Sequence, residues 1–332
     1  MHRFQKYQDL TRGGSDVEQF SINGSLFLAF AHYYGDIKGY NTDSCIYKLN
    51  NSIGKFFHYQ TIDTTGAWDI EYFTIADNHY LAVANRRDQT TYQLNSVIYQ
   101  WNGHEFVAFQ NIPTNSATGF HFFEMLPELF LTVTNHNGNS VIYKWKDNQF
   151  EKFQEIRTEG NSDASTAFKI NTETFIAFAN WRNSQQGNAV HSIVFKWSGK
   201  SFVKLQSLQT YGAVDVKSFN INGDTFLAFA SDYNINSFIY KWDGSKFVPF
   251  QSIPTRGAFA MYPFVMCGET FLGVANKQGD NAKSVIYQYF REQFVQYQEI
   301  PTQGATDMTS FQYKGYTFLA IANRNSALYK WI

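Results

Sequence analysis

The feature that most constrains this chain is a seven-fold internal repeat. The pattern Phe-x-x-(Phe/Tyr/Leu)-Gln-x-(Ile/Leu) recurs at spacings of 44 to 52 residues from one end of the sequence to the other. A fixed period of this length is typical of solenoids, propellers and other repeat arrays. Seven units fill all 332 residues, so we expect a single domain, residues 1–332. The glutamines that mark the repeats are Gln8, Gln60, Gln110, Gln154, Gln206, Gln251 and Gln298.

Each repeat contains four runs with the character of β-strands. The first ends in an aromatic-x-apolar step, as at 73–75, and the second alternates large and small residues, as at 80–85. The third, as at 96–101, is followed by an Asn-Gly or Asp-Gly step, which is typical of a two-residue hairpin. The fourth carries the repeat glutamine. Aromatic residues make up 18% of the chain and only 6 residues are proline, a composition that favours strands joined by tight turns.

A lone four-stranded sheet cannot bury two apolar faces, whereas radial stacking of seven sheets buries both faces of each. The sequence therefore predicts an all-β, seven-bladed β-propeller of four-stranded antiparallel blades. Pro249 lies in a fourth run, which indicates that this strand is outermost. The chain starts with a fourth-strand pattern at 4–10 and stops after a third-strand pattern at 328–331. We therefore predict that residues 2–10 complete the last blade and close the ring.

Charge and hydropathy argue against two classes of partner. Only 17% of residues are charged and the net charge is −1, which removes the electrostatic case for nucleic acid or an anionic membrane. No run approaches the ~18 apolar residues of a membrane span. The first residues lack an apolar stretch, so we expect no signal peptide in this sequence and leave a cytosolic location open. Two cysteines form no disulfide framework, and Cys45 is predicted to be a buried, unbridged hydrophobe.

The repeat resembles the epilepsy-associated repeat, also called the epitempin (EAR/EPTP) repeat. The resemblance covers essentially the full chain and rests on Gly-Ala-Trp-Asp at 66–69, Leu-Ala-Val-Ala-Asn at 81–85, Ser-Val-Ile-Tyr-Gln-Trp-Asn-Gly at 96–103 and Phe-Val-Ala-Phe-Gln-Asn-Ile-Pro-Thr at 106–114. It implies a seven-bladed propeller that recognises other proteins outside the cell, without known catalytic residues. Members usually occur in multidomain secreted or membrane proteins, whereas this sequence holds a propeller alone. We accordingly expect a monomeric module with a protein ligand.

The connections between second and third strands differ most among the repeats. Short hairpins on one face and long, irregular loops on the other are typical of a rigid scaffold that presents a binding surface. The long loops are 33–43, 86–95 and 181–191, and they are rich in Tyr, Trp and Arg, the residues that dominate binding hot spots. The alternative is that these side chains only pack against one another. The candidate ligand-binding residues are Tyr33, Tyr34, Tyr40, Arg86, Arg87, Tyr92, Trp181 and Arg182.

An aspartate recurs four residues before the first-strand phenylalanine. If these carboxylates converge at a channel mouth, they repel one another unless a cation neutralises them. Ca²⁺ is the candidate, because this hard cation binds carboxylate and backbone oxygens. The alternative, which the repetition favours, is that each aspartate caps its own Thr-x-Gly-Ala turn by accepting backbone N–H bonds. No cofactor is otherwise implied, so a structural Ca²⁺ is the one candidate. The aspartates are Asp16, Asp69, Asp215 and Asp307.

Two further residue types recur at a fixed position in nearly every repeat, forming a glutamine column and an asparagine column, and both are predicted to be structural. The repeat glutamines and the asparagines that follow the second strands should satisfy backbone groups at turns or between sheets. Five of the seven tryptophans occupy one repeat position before a hairpin and are predicted to pack there, while Trp68 is undecided between rim and core. The asparagines are Asn85, Asn135, Asn180, Asn276 and Asn323.

Two other functions stay open at this stage. A lectin would use the aromatic, Asn and Asp residues of a rim, and an enzyme would draw residues such as His32 and His121 from distant blades to the channel mouth. No zinc spacing, nucleophile elbow or phosphate loop is present in the sequence. Asn23-Gly24-Ser25 and Asn50-Asn51-Ser52 fit glycosylation sequons. Such triplets are common in an Asn-rich chain, so they are weak evidence of secretion.

Overall fold

The computed structural model describes residues 2–233, 236–279 and 282–332, and every regular element in these ranges is a β-strand. The strands form seven four-stranded antiparallel sheets, which are the blades of a seven-bladed β-propeller, as predicted. In the same ranges there is no helix with the length and apolar character needed to cross a membrane. The chain divides into two compact units: unit 1 is Met1–Phe120 with Ala305–Ile332, and unit 2 is His121–Gly304.

Unit 1 holds three complete blades. Blade 7 is closed by the first strand of the chain, β1 (Phe4–Arg12). Blade 1 is β2 (Gly14–Ile22), β3 (Ser25–His32), β4 (Ser44–Asn50) and β5 (Lys55–Ile62). Blade 2 is β6 (Ala67–Ile75), β7 (Asn78–Asn85), β8 (Gln93–Trp101) and β9 (Phe106–Asn115). The strand β10 (Ala117–Met125) then runs across the boundary between the units.

Unit 2 contains the next blades in chain order. Blade 3 continues with β11 (Glu128–Asn135), β12 (Ser140–Lys146) and β13 (Gln149–Ile156). Blade 4 is β14 (Ser162–Ile170), β15 (Glu173–Asn180), β16 (His191–Trp197) and β17 (Phe202–Gln209). Blade 5 is β18 (Ala213–Ile221), β19 (Asp224–Ser231), β20 (Asn236–Trp242) and β21 (Phe247–Pro254). Blade 6 is β22 (Ala258–Met266), β23 (Glu269–Asn276), β24 (Lys283–Phe290) and β25 (Gln293–Pro301).

Blade 7 joins the two ends of the chain. It consists of β26 (Asp307–Tyr313), β27 (Tyr316–Ala322), β28 (Asn325–Trp331) and β1, in the order β1-β28-β27-β26. Phe4 pairs with Trp331 in the antiparallel ladder, and their ring centroids are 5.1 Å apart. Backbone bonds of 3.0 and 3.1 Å between Arg3 and Ile332 extend the pairing. The prediction that the N-terminal strand completes the last blade is confirmed.

The second strands of the blades supply a larger share of the buried hydrophobic residues than any other strand position. In β3, Phe27 points to one face of the sheet and Leu28 and Phe30 point to the other, yet all three are buried. Burying each such side chain stabilises the fold by about 1.5–3 kcal/mol. The fourth strands are sheet edges, and Pro249 lies on one of them, β21, as predicted. Both cysteines are free, with Cys45 buried and Cys267 exposed, so the prediction for Cys45 is also confirmed.

The glutamine column links neighbouring blades. The Gln206 side chain donates from Nε2 to the Phe247 carbonyl (2.8 Å) and accepts the Phe247 N–H at Oε1 (2.9 Å), so one amide pairs with both backbone groups of an edge residue. The same two-bond clasp joins Gln8 to Phe56, and three further pairs repeat it. The prediction that this column satisfies backbone groups between sheets is confirmed. The further pairs are Gln60–Phe106, Gln154–Phe202 and Gln251–Phe294.

The asparagine column, which is present in five of the seven blades, satisfies backbone groups at turns, again as predicted. Asn85 accepts the Thr65 N–H at Oδ1 (3.1 Å) and donates from Nδ2 to the Asn95 carbonyl (3.0 Å). Asn180 and Asn276 donate in the same way to the carbonyl at the start of the third strand. These residues anchor the ends of the variable loops on the scaffold.

Candidate functional site

The long connections of blades 1 and 2 are joined to each other through the backbone of Gly66. Its N–H donates to the Tyr40 carbonyl (2.5 Å), and its carbonyl accepts the Arg86 N–H (3.0 Å). The backbone of Gly66 has φ +54°, and a Cβ at this position would lie 2.4 Å from the Arg87 carbonyl oxygen. Only glycine therefore fits where the two loops meet. The second loop is shorter than predicted, because β8 begins at Gln93 and leaves 86–92 as the connection.

Six of the eight predicted ligand-binding residues come together on these loops. Tyr40 contacts Tyr33 and Tyr34, with ring centroids 5.1 and 5.0 Å apart. Tyr33 also packs edge-on against Trp68 at 4.8 Å, which places Trp68 at this surface. We call the assembly the Arg–Tyr cluster, and its members are Tyr33, Tyr34, Tyr40, Trp68, Arg86, Arg87 and Tyr92.

Two arginines lie over the rings of this cluster. The Arg86 guanidinium lies 4.1 Å from the centroid of Trp68. The Arg87 guanidinium lies 4.4 Å from the centroid of Tyr40 and 4.5 Å from that of Tyr92, and it donates to the Tyr92 hydroxyl at 2.7 Å. Cation–π contacts of this kind are worth ~0.5–1 kcal/mol at exposed sites and more when desolvated. The rings therefore hold both side chains in fixed positions.

The Arg–Tyr cluster carries two guanidinium charges, and one carboxylate, that of Asp88, lies in the same loop as both arginines. Hydrogen bonds from Thr90 and Thr91 lower the pKa of the Asp88 carboxyl, with a smaller contribution from Arg87. Neither guanidinium forms an ion pair with a carboxylate among the described residues, and the buried Nε of Arg86 has no hydrogen-bond partner there.

Burial raises the pKa of the Tyr33 hydroxyl to about 12, against the opposing effect of Arg86, so the tyrosine is neutral. Tyr34 is 55% exposed, Tyr92 40% and Ile37, in the same loop as Tyr34, 98%. The surface therefore combines fixed cations with exposed apolar side chains.

The two remaining predicted residues, Trp181 and Arg182, lie in unit 2 in a cluster of their own. The Arg182 guanidinium lies 5.0 Å from the Trp181 ring centroid, and Tyr233 stacks on the same indole at 6.5 Å. His136 contacts the indole at 5.1 Å, and its Nδ1 lies 2.5 Å from Oδ1 of the buried Asp163. The structure thus divides the predicted set between two clusters, one in each unit.

Asp232 adds a titratable group to the Trp181 surroundings. Burial raises the pKa of its carboxyl to about 6, while Lys277, Gln278 and Trp181 favour the charged form and Asp163 opposes it. The Gln278 side chain also donates to the backbone carbonyl of Asp232. Sequence reasoning did not single out His136 or Asp232, because each is a solitary polar residue without a repeated position or a recognisable spacing. Asp163 lies one residue out of register with the recurring aspartates, and that offset gave no sign of its contact with His136.

Each aspartate of the column makes a contact between blades that the sequence did not predict. Each carboxylate accepts, at Oδ2, a backbone N–H from the first strand of the neighbouring blade. Asp16 accepts from Ile70 at 3.0 Å, and Asp215 accepts from Met261 at 3.0 Å. Within the described ranges no group of three or more His, Cys, Asp or Glu side chains is placed to hold a metal ion. The other two bonds join Asp69 to Phe120 (2.9 Å) and Asp307 to Val17 (3.2 Å).

The two histidines considered for catalysis lie in different surroundings. His32 Nδ1 lies 2.7 Å from the Asp43 carbonyl, and its Nε2 lies 3.2 Å from the Thr11 hydroxyl. Burial lowers the pKa of His32. Burial, helped by Lys217, lowers the pKa of His121 to about 4, so this ring is neutral at neutral pH.

Comparison with known protein families confirms the repeat. The EPTP domain matches six segments that together cover well over half of the chain. They leave out residues 147–200, where the structure nevertheless forms most of blade 4 and where Trp181 lies. The matched segments are 3–50, 55–102, 105–146, 201–243, 246–289 and 293–332.

Curated relatives share the repeat in longer proteins. The mouse (Mus musculus) thrombospondin-type laminin G domain and EAR repeat-containing protein is 33% identical over 297 residues, which cover 69% of this chain and 44% of the relative. Human (Homo sapiens) leucine-rich repeat LGI family member 2 is 28% identical over 241 residues, covering 70% of this chain and 41% of the relative. The chain thus spans less than half the length of these relatives.

A solved structure supports the fold alone. A candidate 6-phosphogluconolactonase from Bacteroides uniformis superimposes with a TM-score of 0.66 over 90% of both chains, at 11% sequence identity. Propellers host unrelated functions, so a likeness at this identity says nothing about activity.

Proposed function

The chain belongs to the EPTP-repeat family, and from that premise we propose that it is an extracellular recognition module that binds another protein through the Arg–Tyr cluster. The whole-protein activities of the longer relatives are not needed for this proposal. It concerns one surface, formed by the β3–β4 and β7–β8 connections of unit 1.

The proposal depends mainly on one observation: the guanidinium groups of Arg86 and Arg87 are stacked on aromatic rings. A guanidinium stacked on aromatic rings has lost much of its freedom before any ligand arrives, so binding costs less side-chain entropy. The members of the cluster are the residue types that dominate protein–protein hot spots. They also lie on loops anchored through the Gly66 backbone, which keeps the surface in one arrangement.

The chemistry of the surface indicates the kind of partner. Two guanidinium groups that form no ion pair with a described carboxylate favour a ligand that presents Asp or Glu, because Arg–carboxylate bonds are charge-assisted and directional. Exposed Tyr34 and Ile37 favour apolar contacts beside those charges. We therefore expect an acidic protein segment flanked by apolar residues.

A binding screen tests the proposal. The purified chain is screened for binding to secreted proteins and cell-surface ectodomains. The Kd for any partner is then measured for the wild type and for the Arg87→Ala and Tyr34→Ala variants. We expect each substitution to weaken binding by about 2 kcal/mol, which is roughly 30-fold in Kd. Arg87→Lys should recover only part of the loss, since an ammonium cannot reproduce the bidentate contact.

The matched control is Arg291→Ala. Arg291 also lies over an aromatic ring, Phe290, at 5.1 Å, but on a hairpin of unit 2. If Arg291→Ala weakens binding as much as Arg87→Ala, or if only Trp181→Ala and Arg182→Ala weaken it, the Arg–Tyr cluster is not the site. Binding to a glycan array with no protein partner would favour the lectin function instead.

A further inference from the structure

We propose that Asn23 and Asn50 are N-glycosylation sites, both on the hairpin end of blade 1 that points away from the β3–β4 loop. The inference rests on the extracellular location included in the proposed function. Each asparagine opens an Asn-x-Ser triplet, Asn23-Gly24-Ser25 and Asn50-Asn51-Ser52, which is the acceptor pattern for an N-linked glycan. A search of the sequence finds this pattern at no other position.

The Asn50 triplet is exposed and folded into an Asx turn. Asn50 ends β4, and its Oδ1 accepts the N–H of Ser52 at 3.0 Å. This bond brings the serine back toward the asparagine amide. Asn50, Asn51 and Ser52 are all exposed, and the Nδ2 group of Asn50 donates to none of the residues that the structure describes. The nitrogen that would carry the sugar is therefore accessible.

The Asn23 triplet occupies the tight turn between β2 and β3. Asn23 and Gly24 have φ values of +49° and +74°, which makes this a two-residue hairpin with both central residues in the left-handed region. Both residues are exposed, and in the described part of the chain the Asn23 side chain has no hydrogen-bond partner. A glycan attached here would extend into solvent without displacing a contact.

The position of the two asparagines leaves the recognition surface open. Antiparallel strands place the β2–β3 and β4–β5 turns at one end of the blade and the β3–β4 loop at the other. Tyr33, Tyr34 and Tyr40 lie on the β3–β4 loop. Glycans on Asn23 and Asn50 would cover the hairpin end of blade 1 and leave the Arg–Tyr cluster of the same unit uncovered.

The proposed modification is a simple group transfer. The side-chain amide nitrogen forms a bond to the anomeric carbon of an oligosaccharide. The bond from that carbon to the diphosphate oxygen of a lipid-linked donor breaks, and the lipid diphosphate leaves with the electron pair. One amide proton passes to a base of the transferring enzyme, and nothing is oxidised or reduced.

The chain offers a matched control for each site. Asn102-Gly103-His104 forms the equivalent turn after β8, where Asn102 Oδ1 accepts the His104 N–H at 2.9 Å, but the third residue is not a hydroxyl residue. Asn222-Gly223-Asp224 forms the equivalent turn between β18 and β19, with φ values of +52° and +90°. Asn222-Gly223-Asp224 differs from the Asn23 triplet at its third residue, and Asn102-Gly103-His104 differs from the Asn50 triplet at its second and third residues.

The test is secretion of the chain from cultured animal cells with an added cleavable leader, followed by intact-mass measurement before and after a peptide-N-glycosidase. We expect two glycans, one lost in Ser25→Ala and the other in Ser52→Ala, since both variants keep the asparagine and its turn. His104→Ser should gain a third glycan. Secretion of the Ser25→Ala/Ser52→Ala chain in folded form distinguishes a missing site from a missing fold.

The remaining outcomes would overturn the proposal. A secreted wild-type chain without glycans, beside a His104→Ser chain that carries one, would show that the turns at 23–25 and 50–52 are not acceptors. Glycans that persist in both serine variants would place the modification elsewhere. Because mass measures the modification without any partner, a failure here is distinct from a failure of protein binding by the Arg–Tyr cluster.

Discussion

Replacing Gln206 tests whether the glutamine clasps hold neighbouring blades together. The Gln206 amide makes two hydrogen bonds to the backbone of Phe247, 2.8 and 2.9 Å long. Each is worth about 0.5–1.5 kcal/mol net, so Gln206→Met, which keeps the side-chain length but no polar atom, should lower the free energy of unfolding by about 1–3 kcal/mol. Phe247 lies on the edge strand β21, where no other strand replaces the lost partner.

The assay is urea unfolding followed by tryptophan fluorescence, with the change in stability taken from the shift of the midpoint at constant slope. Gln293→Ala is the control, because Gln293 is an exposed glutamine whose side chain bonds to none of the described residues. It should stay within about 0.5 kcal/mol of the wild type. If Gln206→Met unfolds at the same urea concentration as Gln293→Ala, the clasp does not stabilise the fold and our reasoning is wrong.

Three other outcomes follow from the structure. Melting curves with and without a Ca²⁺ chelator should superimpose, since Oδ2 of each column aspartate already accepts a backbone N–H; a lower melting temperature with chelator would show that an ion is bound. The folded state raises the pKa of Asp232 to about 6, so between about pH 4 and pH 6 it holds a proton that the unfolded chain has lost. The free energy of unfolding of the wild type, relative to that of Asp232→Asn, should therefore fall as pH rises through that interval. The fall should be less than about 3 kcal/mol, because the carboxyl is partly exposed. A difference in stability that stays constant with pH would contradict the raised pKa. Deleting residues 2–10 removes buried Phe4, whose burial alone stabilises the fold by ~2 kcal/mol. The deletion should therefore lower the melting temperature by at least about 4 °C. An unchanged melting temperature would contradict the closure of blade 7 by β1.

The repeated features of the fold could be predicted because repetition makes them visible in a single sequence. Seven glutamines spaced 44 to 52 residues apart indicated seven sheets. A fourth-strand pattern at the start and a third-strand pattern at the end predicted the pairing of β1 with β28. The asparagine column was correctly assigned for the same reason. A recurring polar residue in a β repeat must satisfy a recurring backbone group.

Repetition did not identify the partner of each repeated residue. For the aspartate column the sequence suggested a turn cap, which the repetition favoured, or a metal site. Only the structure shows that Asp16 accepts the N–H of Ile70, 54 residues away. Six cluster residues were found by loop length and residue type. Trp68 was left undecided, because its contact with Arg86 depends on how two loops meet at Gly66.

The pairing of β1 with β28 affects how the protein is made. More than three hundred residues separate Phe4 from its partner Trp331, and a ribosome adding about 5–20 residues per second takes roughly 15–65 s to cover that distance. Throughout that interval β1 lacks its partner strand β28, and Phe4 lacks its contact with the Trp331 ring. A nascent chain therefore carries a β1 strand without its ladder partner until Trp331 has been made.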